Sequence, residues 1–296
     1  MLVLGVTGDV GAGKSTVTRI FAESGATIIN ADLIAHEIWR KRDILAQAAE
    51  RWGEDIILPD GLVNPSRVAS IVFSDGTEYK WLCNLLHPLI RIEMEKRISA
   101  LSGFVVAEIP LLFENEVPWW VDVTMFVSAS HGARLTRNRS RGWNENEILR
   151  REAFLLDRNE KISRSDIILR NEGDLASLVE KVRDLSEDLK NLAFLGELSM
   201  PLSSKEEVSE ISSVLIREKL VLNAECHERI VHAFSAGAIR ESRTFQLEVL
   251  IFEKDFNHIM KILEERLPGK ETRACLRPVK RPGTLLKKFL PGEIRT

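Results

Sequence analysis

Gly8-Asp9-Val10-Gly11-Ala12-Gly13-Lys14-Ser15, followed by Thr16, is the stretch around which the chain is organised. The apolar run Leu2-Val3-Leu4-Gly5-Val6 precedes it, and after it Val17, Ile20 and Phe21 recur at helical spacing. A strand, a glycine-rich turn and a helix in this order read as a phosphate-binding loop, because an ordinary glycine turn requires neither flank. Small residues let successive backbone N–H groups converge on phosphate oxygens, and the helix turns its positive N-terminal end toward the same anion. Gly8, Val10, Gly11, Ala12, Gly13 and Thr16 would form the cradle. Lys14 would reach the β- and γ-phosphates, and the Ser15 hydroxyl would sit on Mg²⁺. The expected ligand is a nucleoside triphosphate.

Composition narrows the setting. A chain of 296 residues exceeds one average domain, and 44% hydrophobic residues suffice for a real core. The net charge of −3 gives no bulk attraction to nucleic acid or to a membrane surface. Cys83, Cys226 and Cys275 lack CxxC spacing and cannot all pair, so they read as thiols of a reducing compartment. Met1 runs directly into the first strand, and no apolar run approaches a spanning helix; a cytoplasmic protein is expected. All six tryptophans and the only tyrosine lie between Trp39 and Trp143. This asymmetry suggests two domains, 1–193 and 194–296, with a linker around Ala193-Phe194-Leu195-Gly196-Glu197.

Along the first domain, Ala26–Asn30 reads as a second buried strand, and strand, helix, strand at this spacing makes a βαβ unit in a parallel sheet. Ligands of such sheets bind beyond the carboxyl ends of the strands, where Asp32 falls. Asp32 could accept a proton from an attacking hydroxyl, or it could merely cap the helix beginning at Leu33. Helices are expected at Asp43–Trp52, Pro65–Phe73 and Glu78–Ser99, the last interrupted at Leu86-His87-Pro88. His87 could touch a substrate phosphate or pack in the core. Phe104–Glu108 is a third buried strand whose terminal Glu108 stands where such enzymes keep the carboxylate for the metal or its water. Val121–Val127 and Asp166–Leu169 complete the set of strands. Between them, Arg134, Arg137, Arg139, Arg141, Arg150 and Arg151 crowd into eighteen residues. Guanidinium forks suit triphosphate oxygens, and the run reads as a mobile lid excluding water. The alternative is a solvated face paired with Glu145, Glu147 and Glu152.

The wider set of motifs, over Met1 to about Leu192, resembles the dephospho-CoA kinase family. It comprises Asn30-Ala31-Asp32-Leu33-Ile34-Ala35-His36, Asp60-Gly61 with Ile71-Val72-Phe73, Trp81-Leu82 to Leu86-His87-Pro88, Pro110-Leu111-Leu112-Phe113-Glu114, and Asp166 to Asn171. The resemblance implies ATP- and Mg²⁺-dependent phosphorylation of the ribose 3′-hydroxyl of dephospho-CoA in a nucleoside-monophosphate-kinase-like α/β fold with a helical substrate domain and lid. It implies Asp32 as general base, Lys14 and Arg141 as catalytic partners, and Arg137 and Arg141 on the nucleotide. It places the substrate among Asp32, His36, His87, Pro110 and Leu111, and the metal on Ser15 and Glu108. The sequence departs from the family pattern at Asp9, Asn30, Pro65, Leu155 and Arg170. Another small-molecule P-loop kinase, or a nucleotide-gated binding module, are the alternatives; a GTPase is disfavoured because Asn-Lys-x-Asp is absent.

The last hundred residues follow a different pattern. A strand near Leu198–Met200 leads to a helix over Lys205–Glu218 with Val208, Ile211, Val214 and Leu215 on one stripe. Strands at Leu220–Cys226, Ile230–Ser235 and Phe245–Phe252, a helix at Phe256–Arg266 and a strand at Thr272–Val279 follow. The order βαββαβ predicts an α+β ferredoxin-like sandwich. Lys219 to Ala224, the long hairpin and a closing helix near Leu285–Leu290 resemble CutA-type divalent-cation-tolerance proteins, which implies a regulatory or oligomerisation module, a homo-trimer. The family's His-Pro-Tyr feature is missing, so no binding residue is carried over. Cys226, His227 and His232 read as surface or core residues, since alternation puts Cys226 and His227 on opposite faces. Seven basic residues between Lys270 and Lys288 read as a protected strand edge, with an acidic partner as the alternative.

Overall fold

The computed structural model describes residues 1–139, 142–235, 238–267 and 274–279. β1 (Leu2–Gly8) is buried at every position. A strand without polar alternation needs cover on both faces, which is the situation inside a parallel sheet. It lies between β3 (Phe104–Glu108) and β4 (Val123–Ser128), with β2 (Thr27–Asn30) outside β3 and β5 (Ile167–Arg170) outside β4. All four pairings are parallel, in the order β2-β3-β1-β4-β5. The chain passes from one side of β1 to the other between β3 and β4, so the crevice at the carboxyl end of β1 is the switch point where such sheets bind ligands. Register aligns Asn30 with Glu108 and Val6 with Glu108, bringing three strand ends together there.

The connecting helices are α1 (Lys14–Glu23), α2 (Ala31–Trp39), α3 (Arg42–Trp52), α4 (Pro65–Val72), α5 (Gly76–Ser99), α6 (His131–Asn138), α7 (Glu145–Glu152), α8 (Arg158–Arg164) and α9 (Leu175–Ala193). Two expectations change. The interruption at His87-Pro88 does not occur: α5 is one helix of 24 residues with Pro88 inside it. Proline removes one donor but leaves the flanking turns intact. Asp75 caps the start by accepting from Thr77 N at 2.7 Å, while Leu86, Met94 and Ile98 bury the face on both sides of the proline. The arginine run, expected as a mobile lid with a face paired to glutamates as the alternative, has Arg134 and Arg137 on α6 and Arg150 and Arg151 on α7, with Arg134 buried. Glu147 and Glu152 neutralise Arg150, Arg151 and Arg134, so the charge does not prevent helix formation. Arg141 lies outside the described residues.

Contacts divide the described residues into two compact units, Leu2–Glu187 and the described residues from Asp188 to 279 together with Met1. The stretch expected to be a linker is instead the end of α9 and the start of β6 (Leu195–Leu202), separated by Phe194 alone. The second unit continues with α10 (Lys205–Arg217), β7 (Asn223–Ser235), β8 (Ala238–Phe252), α11 (Phe256–Arg266) and β9 (Cys275–Pro278). The two strands expected within 220–235 are a single one. Its antiparallel sheet has the order β7-β8-β6-β9, and with the βαββαβ sequence this is the ferredoxin-like fold. Leu198, Met200, Leu247, Val249 and Ile251 meet Ile211, Leu215, Ile259 and Leu263 of the helices in its core. The expected helix near Leu285–Leu290 lies outside the described residues, as do six of the seven basic residues between 270 and 288, Arg277 being the exception.

Candidate active site

The phosphate loop needs its glycines for steric reasons. Gly8, Gly11 and Gly13 have φ of 154°, 78° and 92°. A Cβ on Gly8 would stand 2.2 Å from Val127 O, on Gly11 1.8 Å from Asn138 Nδ2, and on Gly13 2.8 Å from Asn171 Nδ2. The loop is therefore folded tightly between the end of β4, α6 and the segment after β5. Gly13 also opens α1 with no side chain capping the helix, and no acid lies in the first turn. By contrast, Asn30, Asn64, Asp75, Ser130, Asn144 and Asp157 each cap their helices. The first amides of α1 are thus free of any side-chain acceptor, and a cradle tightened by three glycines faces them; both suit an anionic phosphate chain.

Lys14 Nζ donates to the carbonyls of Gly8 at 3.1 Å and Asp9 at 3.0 Å, so it curls over the loop. Burial pulls its pKa below the ordinary lysine value, opposed by the nearby carboxylates of Glu108, Asp32 and Asp9. The hydroxyl of Ser15 donates to Glu108 Oε1 at 3.1 Å. The other oxygen, Oε2, accepts from Thr18 Oγ1 and Asn30 Nδ2, each at 3.0 Å. Ser15 and Glu108, expected together on the metal, are therefore neighbours. Their hard oxygen donors suit Mg²⁺, which takes one or two carboxylates plus substrate phosphates rather than a full protein cage. No group of three or more His, Cys, Asp and Glu suited to a metal occurs among the described residues.

Asp32 stands in the first turn of α2. It does not cap the helix: Asn30 Oδ1 does so, accepting from Asp32 N at 2.8 Å and Leu33 N at 3.1 Å. The Asp32 carboxylate is left for other work. It opens to solvent, yet the surrounding protein raises its pKa above the ordinary carboxylate value, with Lys14 and His36 pulling it back. His36, one turn along α2, is exposed. Thr7 Oγ1 donates to Pro110 O at 2.8 Å, fixing the segment that holds half-buried Leu111 just past β3. His87 is half-buried on α5, its Nδ1 3.2 Å from Asn115 Nδ2. Burial lowers its pKa, with Glu114 opposing.

Arg137 turns inward, donating to Asn171 O at 3.0 Å and to Asn171 Oδ1 at 3.2 Å, while Asn171 Nδ2 donates to Ala12 O at 2.8 Å. Arg134 is paired with Glu152, and Arg151 lies over the rings of Trp143 and Phe73. Several residues of this network were not picked out from the sequence. Thr18 could have been found, since it lies one helical turn beyond Ser15 on the same face. Asn171 follows β5 as Glu108 ends β3, a position that invites the same reading. Nothing in the sequence signalled Arg158, whose partner Asp9 is 149 residues away, or Asn138, which packs against the comparably remote Gly11.

An uncapped helix behind a glycine cradle at the switch point of this sheet defines the class of P-loop kinases. More narrowly, the chain belongs to the dephospho-CoA kinase family, whose model matches residues 2–177. It is 34% identical over 193 residues to the dephospho-CoA kinase of Aggregatibacter actinomycetemcomitans, covering 64% of this chain and 93% of that one. Among solved structures it is similar to TT1252 from Thermus thermophilus, with 29% identity, a TM-score of 0.53, and coverage of 64% of this chain and 97% of that one. The second unit has a fainter likeness to the periplasmic divalent cation tolerance protein CutA from Archaeoglobus fulgidus: 16% identity, TM-score 0.29, 34% of this chain and 99% of that one. The ferredoxin-like fold of that unit is read from its own strand order.

Proposed function

We propose that the chain transfers the γ-phosphoryl group of ATP to the ribose 3′-hydroxyl of dephospho-CoA, yielding coenzyme A. The observation that carries this reading is the convergence on one crevice of the uncapped α1 terminus, the Ser15–Glu108 pair and an Asp32 released from capping by Asn30. The loop amides and Lys14 hold the phosphates, Lys14 leaving the Gly8 and Asp9 carbonyls to do so. Ser15 and Glu108 hold Mg²⁺, which when bound supplies charge neutralisation for the transferring group. Asp32 orients the acceptor hydroxyl and takes its proton, a role suited to a carboxylate of raised pKa. Arg137, Arg141 and the helices carrying the arginine run cover the nucleotide and exclude water. His36, His87, Pro110 and Leu111 line the acceptor side.

Among the described residues, no helix is long and apolar enough to cross a membrane, and Cys83, Cys226 and Cys275 are all free thiols. The second unit assembles copies of the chain, as a trimer. The support is its hairpin. Pairing of β6 with β8 ends at Leu202–Phe245, while β7 and β8 continue for seven more pairs, Arg229–Thr244 to Ser235–Ala238. A two-stranded ribbon is marginal alone in water, and Ile230 upon it is 56% exposed, so another copy would cover it. The test of the activity is ATP consumption by the purified chain with dephospho-CoA and Mg²⁺, beside Asp32→Asn and Lys14→Ala. Coenzyme A formation lost in both variants is the expected result; nucleotide binding without turnover in the unaltered chain would refute it.

A further inference from the structure

Asp9 is a carboxylate with 3% side-chain exposure in the very loop that must hold an anion. Both its oxygens are engaged. Oδ1 accepts from Arg158 Nε at 2.9 Å, and Oδ2 accepts from Ala129 N at 3.1 Å. Arg158, in the first position of α8, also donates from Nη2 to Ser128 Oγ at 2.7 Å and lies over the Phe126 ring. The pair thus ties the second residue of the phosphate loop to the end of β4. Through its own carbonyl, Asp9 also holds Lys14. A buried carboxylate stripped of its partner repels phosphate and is costly in itself, whereas the neutralised pair is neither.

We infer that Arg158 is a positioning residue acting through Asp9. It cancels the carboxylate's charge at the phosphate loop and pins the loop to β4, so nucleotide affinity depends on Arg158 only while Asp9 is present. This rests on the reading of the loop as an ATP site. It also accounts for how the loop tolerates an acid at position 9: the acid is met by a counter-ion from α8.

The experiment is titration of ATP with Mg²⁺ into the full chain and into Arg158→Gln, Arg158→Lys, Asp9→Asn and the Asp9→Asn/Arg158→Gln double variant, at low and high salt, with thermal unfolding of each. Arg158→Gln should weaken ATP binding on the order of tenfold at low salt, with the deficit shrinking as salt screens it. Arg158→Lys, which keeps the charge, should retain most of the affinity. In the Asp9→Asn background, the Arg158→Gln change should alter affinity by no more than about twofold. A double variant as weak as Arg158→Gln alone, or an Arg158→Gln variant that binds like the unaltered chain, overturns the inference. If Arg158→Gln does not fold, the comparison of the double variant with Asp9→Asn decides: near-equal affinity supports the coupling, and a tenfold loss removes it. Failure of the unaltered chain to bind ATP would instead bring down the nucleotide reading beneath it.

Discussion

Replacing Glu108 separates the structural from the chemical part of the site. Glu108 is buried and accepts from Ser15, Thr18 and Asn30. In Glu108→Gln the amide oxygen can take the Oε2 place and still accept from Thr18 and Asn30. The amide nitrogen then sits at Oε1 and donates to Ser15 Oγ, whose hydroxyl rotates to suit. All three bonds survive at neutral rather than charged strength, a cost of about 1 kcal/mol. In Glu108→Ala, Asn30 Nδ2 loses its acceptor while still half-buried, worth about 1–3 kcal/mol. Thr18 falls back on Ser15 O, already at 3.3 Å, and Ser15 is exposed enough to use water. With the lost packing of the side-chain stem, the alanine variant should be destabilised by about 2–4 kcal/mol. On the proposed mechanism the chemical loss should be severe in both, about 10²–10³ in kcat, because the negative charge that would face Mg²⁺ is gone. Thermal unfolding and a coupled ADP-release assay read the two quantities. If glutamine destabilised as much as alanine, the hydrogen-bond account would be wrong; if it kept turnover within tenfold of the unaltered enzyme, Glu108 would have no part in the chemistry.

Three further outcomes are expected. Gly11→Ala forces a Cβ against Asn138 Nδ2 and breaks that residue's bond to Arg134 O, now 2.8 Å; introduced into an Asn138→Ala background the same change should cost only the positive-φ strain of about 1 kcal/mol, measured by denaturation, and a cost as large as in the unaltered chain would deny the contact. Because Asp32 must be unprotonated to accept the substrate proton, and its carboxyl is raised above its ordinary value of 3.8, kcat/KM should fall as pH drops through a midpoint above that value; a midpoint below it in the pH–rate profile would contradict the assignment. Deleting the ribbon 229–244 and closing the strands with a short turn should reduce the sedimenting mass to that of one chain, while unchanged mass would exclude the hairpin as the contact between copies.

The sheet was legible because its information is local. Leu2–Val6 and Phe104–Ala107 have no polar alternation, and a buried parallel strand is the simplest structure that tolerates this. The phosphate loop was legible for the same reason, since its glycines, lysine and serine act within eight consecutive residues. What escaped was everything whose meaning depends on a distant partner. Pro88 looked like a break because its cost is visible in sequence, whereas the burial of Leu86, Met94 and Ile98 that offsets it is not. The arginine run could be read as a lid or as a face paired with glutamates, because no periodicity joins Arg134 to Glu152 eighteen residues on and decides between them.

Asp32 shows the same limit at the centre of the site. From the sequence, capping and catalysis were equally open to it, since both need an acid at a strand end before a helix. The capping role is taken by its neighbour. Asn30 turns its carbonyl oxygen to the α2 amides and its amide to Glu108, a division of labour only an amide side chain can perform. An aspartate there could cap the helix equally well, but it would face Glu108 with a second negative charge instead of a donor. The departure from the family pattern at Asn30 therefore satisfies the metal-side carboxylate and releases Asp32 with one side chain, and the departure at Asp9 is neutralised by Arg158. Neither substitution removes a group that the proposed phosphoryl transfer uses, which is why departures at two of the family's expected positions are compatible with an intact kinase site.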